Sequence, residues 1–551
     1  MNFKYLTLAL LTALQLSCKS EQKEQPEMIA QETPFMWEAS NVYFMLTDRF
    51  NNGDTTNDTN FDRNLKTGPA RGFEGGDLKG IIQKLEEGYF EDLGINVLWF
   101  TPVVEQIHGI VDEGTGPTYA YHGYWAKDWT TLDPNFGTEE DLEQLIALAH
   151  SKGIRVLLDV VVNHTGPVTD KDPVYGNDWV RTGPACKYQD YESTTSCTLV
   201  ENLPDVLTDK DEAVTLPKVL LEKWEQEGRL DQEVAELDTF FNETGLPRAP
   251  RFYIMKWLTD MVKAYGVDGF RVDTAKHTEA SIWQELYDLA APAFETWKQN
   301  NPEQVLDNTP FFMVGEVYNY NISAGRWFDY GDKKVDFFAN GFKSLINFEF
   351  KSDARKAYEA LFSKYDTLLT TALKGKSVLN YVSSHDDGGP FDPERKKPYE
   401  TANKLLLTPG ASQVYYGDET SRILKVRDAQ GDANLRSFMN WEELANNAEI
   451  QKINDHWKKL GTFRRDHPAV GVGRHEMLSK APYVFARSLN TTDFSESVVI
   501  GLDLQPGEKT LTVGAHFEEG STVTDHYSGN TTTVKNGAVT LNTPFDTVLL
   551  Y

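Results

Sequence analysis

The stretch Gly269-Phe-Arg-Val-Asp273-Thr-Ala-Lys-His277 begins as a short β-prone run and ends in charged side chains. Three other stretches of the chain have the same form. The carboxyl ends of parallel strands meet at one face of a barrel, where the loops build the active site. The four stretches together therefore predict such a cleft. Besides Gly269–His277, they are Asp159-Val-Val-Val-Asn163-His164, Val314-Gly-Glu316 and Tyr381-Val-Ser-Ser-His385-Asp386.

Short apolar runs alternate with helical patterns through most of the chain. A helix from Glu139 to Lys152 would be capped by Thr138, and another would run from Phe252 to Tyr265. Near-continuous apolar strands between amphipathic helices indicate a parallel sheet that is covered on its outside. Eight such units favour an α/β fold of the (β/α)8 TIM-barrel type, with strands near 42–46, 96–100, 154–159, 267–273, 311–316, 345–350, 378–382 and 413–416.

The alternation is interrupted once and ends before the C-terminus. Residues 165–249 are polar and follow the third strand, so we expect an inserted subdomain there rather than a structureless loop. From residue 471, short β-prone pieces separated by Gly-rich turns predict a C-terminal antiparallel β-sandwich domain over 471–551. The barrel would then comprise residues 37–164 and 250–470.

The N-terminus has the pattern of a targeting segment. Its apolar run is too short to span a bilayer as a stable anchor. Residues 1–18 resemble a lipoprotein-type signal peptide cleaved before Cys18, which would carry the lipid, and 19–36 would be a flexible tether. The alternative is an ordinary secretory signal. Both signals export the chain, and lipidation would anchor it to the outer membrane, on the cell surface or the periplasmic face.

The sequence contains only three cysteines. With Cys18 assigned to the lipid, Cys186 and Cys197 remain, close together in the predicted insertion. In an oxidising compartment such a pair indicates a disulfide, and two unpaired thiols are the alternative.

The composition narrows the class of partner. A formal charge of −29 argues against nucleic acid as a binding partner, because the protein would repel its phosphates. A neutral polysaccharide or a calcium ion would not be repelled. Aromatic residues make up 12% of the chain, which fits either a well-filled core or a carbohydrate cleft. No segment after the N-terminal run is long and apolar enough to cross a membrane, so membrane contact would be through the lipid alone. We expect a monomer.

The four stretches together resemble the signature regions of glycoside hydrolase family 13, the α-amylase family. The resemblance extends from Val42 to Asp466 and includes Leu203-Pro-Asp205 in the insertion and Tyr121-His-Gly-Tyr-Trp125. Within the family, the runs 252–277 and 381–386 are most similar to exported, periplasmic α-amylases of Gram-negative bacteria. Ser384 departs from the usual Asn of the family, in the manner of those periplasmic members.

The resemblance implies a retaining mechanism that depends on three carboxylates. Asp273 would be the nucleophile, and Glu316 would be first the general acid and then the base. Asp386 would bind sugar hydroxyls and help to distort the ring. Arg271 would keep Asp273 ionised by charge pairing. Retention requires the Asp273 and Glu316 carboxyls to lie roughly 5–5.5 Å apart.

Further residues of the matched motifs are implied to contact the substrate. Three histidines would hydrogen-bond the sugar at the cleavage point, Tyr124 would stack on it, and Trp125 would lie beside it or belong to the core. Lys276 and His277 would contact the leaving-group side. The implied substrate-binding residues are His122, Tyr124, Trp125, His164, Arg271, Lys276, His277 and His385.

The resemblance also implies calcium, an ion that prefers oxygen ligands. Asn163, the Asp205 carboxylate and the His277 backbone carbonyl would bind one ion between the barrel and the insertion. A second candidate is an Asn-, Asp- and Gly-rich loop that resembles a calcium loop of several family members, with a plain polar turn as the alternative. Its candidate ligands are Asn52, Asp54, Asn57, Asp58, Gly75 and Asp77.

The implied activity is that of an α-amylase, which hydrolyses α-1,4-glucosidic bonds in starch, glycogen and maltooligosaccharides by double displacement. Thr274 follows the predicted nucleophile where α-1,6-specific members tend to have Val, which favours α-1,4 cleavage. The alternatives are sister activities: neopullulanase, maltogenic amylase or glucanotransferase. A non-catalytic glucan-binding surface protein is the alternative from another class, and the intact carboxylates argue against it.

Overall fold

The computed structural model describes residues 33–551, and eight parallel strands in this part of the chain close into a barrel. Each strand pairs with its neighbours in sequence, and the first closes onto the eighth through Val42 opposite Gln413. The predicted barrel class is confirmed. The strands are β1 (Asn41–Met45), β2 (Val97–Phe100), β3 (Arg155–Val160), β4 (Gly269–Val272), β5 (Phe312–Gly315), β6 (Ser344–Asn347), β7 (Ser377–Tyr381) and β8 (Ala411–Tyr415).

The barrel strands are buried because side chains fill the interior and helices cover the outside. Every residue of β2 and β3 is buried. Inside the barrel, Trp99 of β2 stacks on Phe44 of β1 with ring centroids 3.7 Å apart. Each predicted apolar run overlaps the strand that forms from it. This close packing makes the barrel a rigid frame for the side chains at its rim.

The long helices are α1 (Leu78–Glu86), α2 (Glu139–Ser151), α3 (Lys218–Gln226), α4 (Leu230–Thr244), α5 (Pro250–Tyr265), α6 (Ser281–Asn300), α7 (Tyr358–Thr370), α8 (Pro398–Leu406) and α9 (Ala448–Asp466). The first predicted helix is α2, which begins with a reciprocal capping box between Thr138 and Asp141. The second is α5, which ends at Gly266. Gly266 has a φ of 72° and lies so close to the Trp297 ring that a Cβ would collide with it.

The connection between β5 and β6 has no long helix, which departs from a regular (β/α)8 pattern. Its helical parts are two 3-10 turns, Ile322–Ala324 and Phe337–Ala339, with a hairpin over 328–335 between them. Gly325 and Gly331 both have positive φ and interrupt the segment. The remaining pieces are too short to form a stable helix.

The first part of the predicted insertion is mostly irregular. Residues 165–217 contain one short helix, Glu192–Thr195, and a two-residue β ladder. Cys186 and Cys197 form a disulfide around that helix. We call residues 186–197 the disulfide loop.

The second part of the insertion is helical and packs on the outside of the barrel. The helices α3 and α4 lie against α5, where Trp224 meets Trp257 edge to face and Phe241 meets Tyr253 in the same way. The inserted segment therefore contributes an irregular region near the strand ends and a helical pair on the barrel wall.

The C-terminal region is antiparallel, as predicted. Its strands are β9 (Arg474–Lys480), β10 (Tyr483–Asn490), β11 (Ser495–Leu502), β12 (Gly507–Thr512), β13 (Thr522–Thr524), β14 (Thr531–Thr533), β15 (Ala538–Thr543) and β16 (Val548–Leu550). β9, β10, β11 and β16 form one sheet, while β12 pairs with β15 and β13 with β14. Val484, Val499, Leu511 and Val539 belong to one buried cluster between these sheets.

The N-terminal end of the described chain packs beneath the barrel. Trp37 stacks on Phe312, the first residue of β5, with centroids 4.1 Å apart. The predicted signal peptide and Cys18 lie outside the described residues, as does the tether up to residue 32. Among residues 33–551, no helix has the length and apolar character needed to cross a bilayer.

The remaining elements are short. They are the 3-10 turns Trp37–Ala39, Ala275–His277 and Gly431–Leu435, the helices Thr47–Phe50, Tyr89–Asp92, Phe350–Asp353, Trp441–Asn446 and Ala469–Val472, and the paired strands Val104–Gln106 with Ala126–Leu132, Val111–Asp112 with Pro117–Thr118, and Val180–Arg181 with Asp205–Val206.

Candidate active site

A cavity of about 590 Å³ opens at the carboxyl ends of the barrel strands. The predicted catalytic and substrate-contacting residues line it together, except Arg271, which lies buried behind them. Segments distant in sequence therefore converge on one cleft. The predicted residues in its lining are His122, Tyr124, Trp125, His164, Asp273, Lys276, His277, Glu316, His385 and Asp386.

Arg271 of β4 binds three carboxylates from three adjacent strands. Its Nη1 donates to Asp159 Oδ1 and to Asp273 Oδ1, each at 2.8 Å. Its Nη2 lies 2.9 Å from Glu316 Oε2. The guanidinium is 1% exposed, so the ion pairs are shielded from water and strongly fix the geometry. The strand register thus positions Asp273 and Glu316 around a single buried cation.

Glu316 follows β5 and is held in a site that favours its protonated form. Its Oε2 accepts a hydrogen bond from the backbone N–H of Thr274 at 2.9 Å. Burial raises the pKa of Glu316 well above its ordinary value, and the negative charges of Asp273 and Asp386 add to this, although Arg271 opposes it. A carboxyl group with a raised pKa can keep its proton near neutral pH and donate it.

Asp386 follows β7 and is kept ionised by its neighbours. Ser384 Oγ donates to Asp386 Oδ1 at 2.9 Å. Burial alone would raise the pKa of Asp386, but its interactions with His385 and with the Arg271 cation, together with this hydrogen bond, lower it below its ordinary value. The pKa values of Glu316 and Asp386 are therefore shifted in opposite directions, the division of roles that acid catalysis needs.

Three of the histidines that line the cleft lie in surroundings that favour their neutral form. Burial lowers the pKa of His122 and His164, and it lowers the pKa of His385 to about 4. Tyr124 lies among them, stacked on the His385 ring at 5.2 Å and donating from Oη to Asp159 Oδ2 at 2.8 Å. A neutral imidazole offers one donor and one acceptor, which matches sugar hydroxyls.

Lys276 and His277 form a tight turn after β4. Thr274, the residue before the turn, is in the left-handed conformation with φ 48°. Lys276 Nζ donates to the carbonyl of Tyr318 at 3.2 Å, and burial lowers its pKa. His277 Nδ1 lies 3.3 Å from the carbonyl of Thr194 in the disulfide loop. The turn therefore joins the barrel rim to the insertion.

Residues 44–468 match the family model of the α-amylase catalytic domain. The chain belongs to the α-amylase family. It is 36% identical over 522 residues to the periplasmic α-amylase of Escherichia coli (strain K12), covering 82% of this chain and 71% of that protein. It is 25% identical over 464 residues to the cyclomaltodextrin glucanotransferase of Thermoanaerobacterium thermosulfurigenes, covering 81% of this chain and 57% of that protein.

The fold agrees with that of solved family structures. The crystal structure of the α-amylase from Geobacillus thermoleovorans, complexed with acarbose, superposes with a TM-score of 0.64 at 20% identity and covers 94% of this chain and 99% of that one. The resemblance inferred from the four strand-end stretches is confirmed. This member of the family is a glycoside hydrolase of the α-amylase type.

The predicted calcium ligands between barrel and insertion lie together. Asn163 Oδ1 is 3.1 Å from the His277 carbonyl oxygen and 3.3 Å from Asp205 Oδ1. Oxygens that face one another at these distances fit a bound cation, and rotation of the Asn163 amide would also satisfy them. Arg181 Nε lies 2.9 Å from the other Asp205 oxygen.

The second predicted calcium loop lies at the start of α1 and does not line the cleft. Asp77 caps α1, with Oδ1 accepting from the backbone of Gly80 at 2.6 Å, and Asp54 pairs with Lys79 at 2.6 Å. These two carboxylates thus already interact with other groups of the protein. The other candidates remain close, since Asn52 Nδ2 donates to Asp58 Oδ1 at 2.9 Å and an added Cβ on Gly75 would collide with both side chains. The buried amide oxygens of Asn52 and Asn57 have no hydrogen-bond donor.

Several cleft residues carried no assignment from the sequence. Asp159 binds Arg271 and Tyr124. Its position at the end of an apolar strand is the sequence feature from which this role could have been predicted. Arg436 donates to the His385 carbonyl at 3.0 Å and pairs with Asp432 at 2.7 Å. Their loop after β8 has no periodic pattern that predicts such a position. The other lining residues without assignment are Glu113, Tyr188, Leu199, Val200, Leu203, Tyr318 and Asn319.

Proposed function

We propose that this α-amylase-type enzyme hydrolyses α-1,4-glucosidic bonds of starch, glycogen and maltooligosaccharides with retention of configuration. The observation that supports this most is the buried guanidinium of Arg271, which contacts both Asp273 and Glu316. A nucleophile and a general acid that contact one cation are held close together, as double displacement requires.

In the first step, Asp273 attacks the anomeric carbon while Glu316 gives its proton to the leaving glycosidic oxygen. The bond between the anomeric carbon and that oxygen breaks, and a covalent glycosyl-enzyme forms on Asp273. In the second step, Glu316 accepts a proton from water as the water oxygen attacks the same carbon and releases Asp273. Each step inverts the carbon, so the product keeps the α configuration.

The remaining cleft residues would bind the sugar at the cleavage point. Asp386 is ionised and could accept hydrogen bonds from two sugar hydroxyls, which would strengthen as the ring distorts. The neutral histidines offer donors and acceptors at fixed positions, and the half-buried Tyr124 ring could stack on the sugar face. Lys276 and His277 would contact the leaving-group side.

The stereochemical outcome tests the mechanism directly. We expect proton NMR of maltoheptaose hydrolysis to show the α-anomer first, with the β-anomer appearing only through mutarotation. Initial release of the β-anomer would overturn the assignment of Asp273 as nucleophile. The carboxyl separation of roughly 5–5.5 Å between Asp273 and Glu316 remains a prediction for the substrate complex.

The linkage preference is tested by the choice of substrate. Soluble starch should release reducing sugars, whereas isomaltose should remain intact, because Thr274 favours α-1,4 cleavage. Rapid cleavage of isomaltose, or release of maltotriose from pullulan, would instead assign the enzyme to the α-1,6-active group of the family.

A second candidate is glycosyl transfer, as in the glucanotransferases related to this chain. The same covalent intermediate would then be attacked by a sugar hydroxyl rather than by water. Chromatography of the products from starch distinguishes the two. Linear maltooligosaccharides support hydrolysis, and cyclic products or chains longer than an oligosaccharide substrate support transfer.

Calcium is proposed at the seam between barrel and insertion. Asn163, Asp205 and the His277 carbonyl would hold it, and the charge would order the cleft without taking part in the chemistry. The loop around Asn52 and Asp58 is a second, separate candidate. Elemental analysis of the purified protein tests both, and a content below one calcium per chain would count against them.

Export is proposed from the N-terminal sequence and from the relationship to a periplasmic enzyme. Lipidation of Cys18 and attachment to the outer membrane are the finer proposal. In a Gram-negative host, the wild type should be found in the membrane fraction and the Cys18→Ser variant should be soluble. Equal distribution of the two proteins would favour an ordinary secretory signal.

A further inference from the structure

A second cavity, of about 320 Å³, lies on the outer wall of the barrel, and we call it the wall cavity. Its lining comes from the strand Ala126–Leu132, from the start of α2 and from the facing sides of α4 and α5. Within residues 33–551, it shares no lining residue with the cleft. Its volume is that of a small-molecule site. The helix α5 contributes one continuous face, made of Lys256, Trp257, Asp260, Met261, Ala264 and Tyr265.

Trp257 brings an unpaired hydrogen-bond donor to the wall cavity. The side chain is 3% exposed, and its Nε1 has no hydrogen-bond partner within residues 33–551. Two neighbouring tryptophans are paired, since Trp129 Nε1 donates to the Val161 carbonyl at 3.0 Å and Trp224 Nε1 donates to Asp128 Oδ2 at 3.2 Å. Buried polar groups are as a rule hydrogen-bonded. The donor of Trp257 therefore calls for an acceptor, and the cavity that this residue lines is where a ligand could supply one.

The polar side chains around the cavity present more acceptors than donors. Lys256 Nζ lies 3.1 Å from Glu236 Oε2 and 2.6 Å from Asp260 Oδ2, and Arg229 pairs with Glu233. Both cations are thus already paired, whereas a carboxylate can accept several hydrogen bonds. Burial raises the pKa of Glu233 and of Asp260, although Arg229 and Lys256 oppose it. Additional donors would therefore stabilise these two carboxylates in their charged form.

This combination of groups selects one class of ligand. A cation would pair with the carboxylates but could not accept a hydrogen bond from Trp257. An anion could accept that hydrogen bond, but the carboxylates of Glu233, Glu236 and Asp260 would repel it. A hydroxyl group both donates and accepts, so one neutral molecule with several hydroxyls can satisfy both kinds of group.

We propose that the wall cavity binds a neutral polyhydroxylated ligand, a glucosyl unit of a maltooligosaccharide, at a second site separate from the cleft. One ligand hydroxyl would accept from Trp257 Nε1, and others would donate to the carboxylates of Glu233 and Asp260. The identity of the sugar rests on the proposed function, because maltooligosaccharides are the substrates and products which that function supplies. Occupancy of the wall cavity would leave the cleavage step unchanged.

The test counts binding sites by isothermal titration of maltotriose into the Glu316→Gln variant, which should bind the sugar without cleaving it. We expect two sites per chain. Ala264 is exposed and lines the wall cavity, so adding Ala264→Trp should fill the cavity and remove one site. Lys263→Trp, at the adjacent exposed position outside the lining, is the matched control and should keep both sites. A single site in the parent, or two sites that persist in Ala264→Trp, would overturn the inference.

A second pair of variants tests the indole donor. Trp257→Phe keeps an aromatic ring and removes the N–H, so affinity at the wall cavity should fall about two- to tenfold, the range for one neutral hydrogen bond. Trp224→Phe makes the same change at an indole that is paired within the protein, and it should leave this affinity within about twofold of the parent. Equal losses in the two variants would show that packing alone is responsible and would contradict the role of Trp257.

These outcomes are distinguishable from failure of the proposed function. If the wild type releases no reducing sugar from starch, the proposed hydrolysis is wrong, whereas the titration still decides whether maltotriose binds at the wall. If starch is cleaved and the wall cavity binds putrescine but not maltotriose, the cavity is a cation site and only this inference fails. The Ala264→Trp substitution in the wild type should leave kcat for maltotriose unchanged, because the cavity lies apart from the cleft.

Discussion

The barrel side and the disulfide-loop side of the cleft differ in how their side chains are fixed. On the barrel side, Asp273 and Glu316 follow buried strands and are bound by a guanidinium that is 1% exposed. On the loop side, Tyr188 is half exposed and depends on a disulfide and a few polar contacts. Reacting groups need fixed geometry, whereas contacts that select the length of a substrate tolerate adjustment.

This contrast predicts a difference in what substitutions do. A change on the barrel side should affect the rate of bond cleavage for every substrate. A change on the loop side should affect binding for some substrates and leave the chemical step intact. Substitutions on the barrel, at the contact between the two sides and beside Asp386 test this difference.

The largest effect is expected from Glu316→Gln, which removes the proton donor without changing the shape of the side chain. We expect kcat to fall by at least about 10²–10⁴-fold on starch and on short substrates alike. Steady-state kinetics on both substrates measures this. A residual activity within about tenfold of the wild type would exclude Glu316 as the general acid.

The same variant should stabilise the protein at high pH. The pKa of Glu316 is higher in the folded state than in the unfolded chain. Between these two pKa values the folded protein keeps the proton that the unfolded chain loses. The free energy of unfolding therefore falls as pH rises through this range. Glu316→Gln removes this loss. Its melting temperature should therefore exceed that of the wild type more at pH 8 than at pH 4, and equal differences at both would contradict the raised pKa. For the same reason kcat/KM of the wild type should fall on the alkaline side.

The next effect is expected from Arg271→Lys. Lysine has a single nitrogen and cannot reach three carboxylates as the planar guanidinium does. Loss of one charge-assisted hydrogen bond is worth roughly 1.5–3 kcal/mol, which corresponds to about 10- to 150-fold in kcat/KM. Arg229→Lys, on the barrel exterior at the start of α4, is the control and should keep full activity. Equal activity of the Arg271 variant and the wild type would mean that strand register alone fixes the carboxylates.

A smaller effect is expected at the seam that joins the two sides. If calcium binds there at 100 times its dissociation constant, it stabilises the folded chain by about 2.7 kcal/mol. Chelation should then lower the melting temperature of the wild type, and Asp205→Asn should reduce that response. Asp58→Asn, in the other candidate loop, separates the two sites. A response to chelator that neither variant changes would place the ion elsewhere.

The sequence predicted the barrel side of the cleft better than the loop side, for a physical reason. Strand ends such as Asp273 and Glu316 are fixed by local apolar runs and by the parallel register, which periodicity reveals. Tyr188 and Arg436 reach the cleft through irregular segments whose path depends on long-range contacts. The connection between β5 and β6 likewise contains a hairpin rather than the long helix of a regular barrel unit, and glycines interrupt this segment.

The smallest effect is expected from Ser384, where the chain departs from the usual Asn of the family. Ser384 Oγ donates to Asp386 Oδ1 at 2.9 Å, so Ser384→Ala should remove a hydrogen bond that stabilises the charged form of Asp386. We expect kcat/KM to fall by about tenfold, the lower limit for a hydrogen bond to a charged group. Ser384→Asn can still donate and should remain closer to the wild type. If both variants lose activity equally, the small side chain rather than its hydroxyl is what this site requires. Because Ser384 lies on the barrel side, the loss should appear with short and long substrates alike.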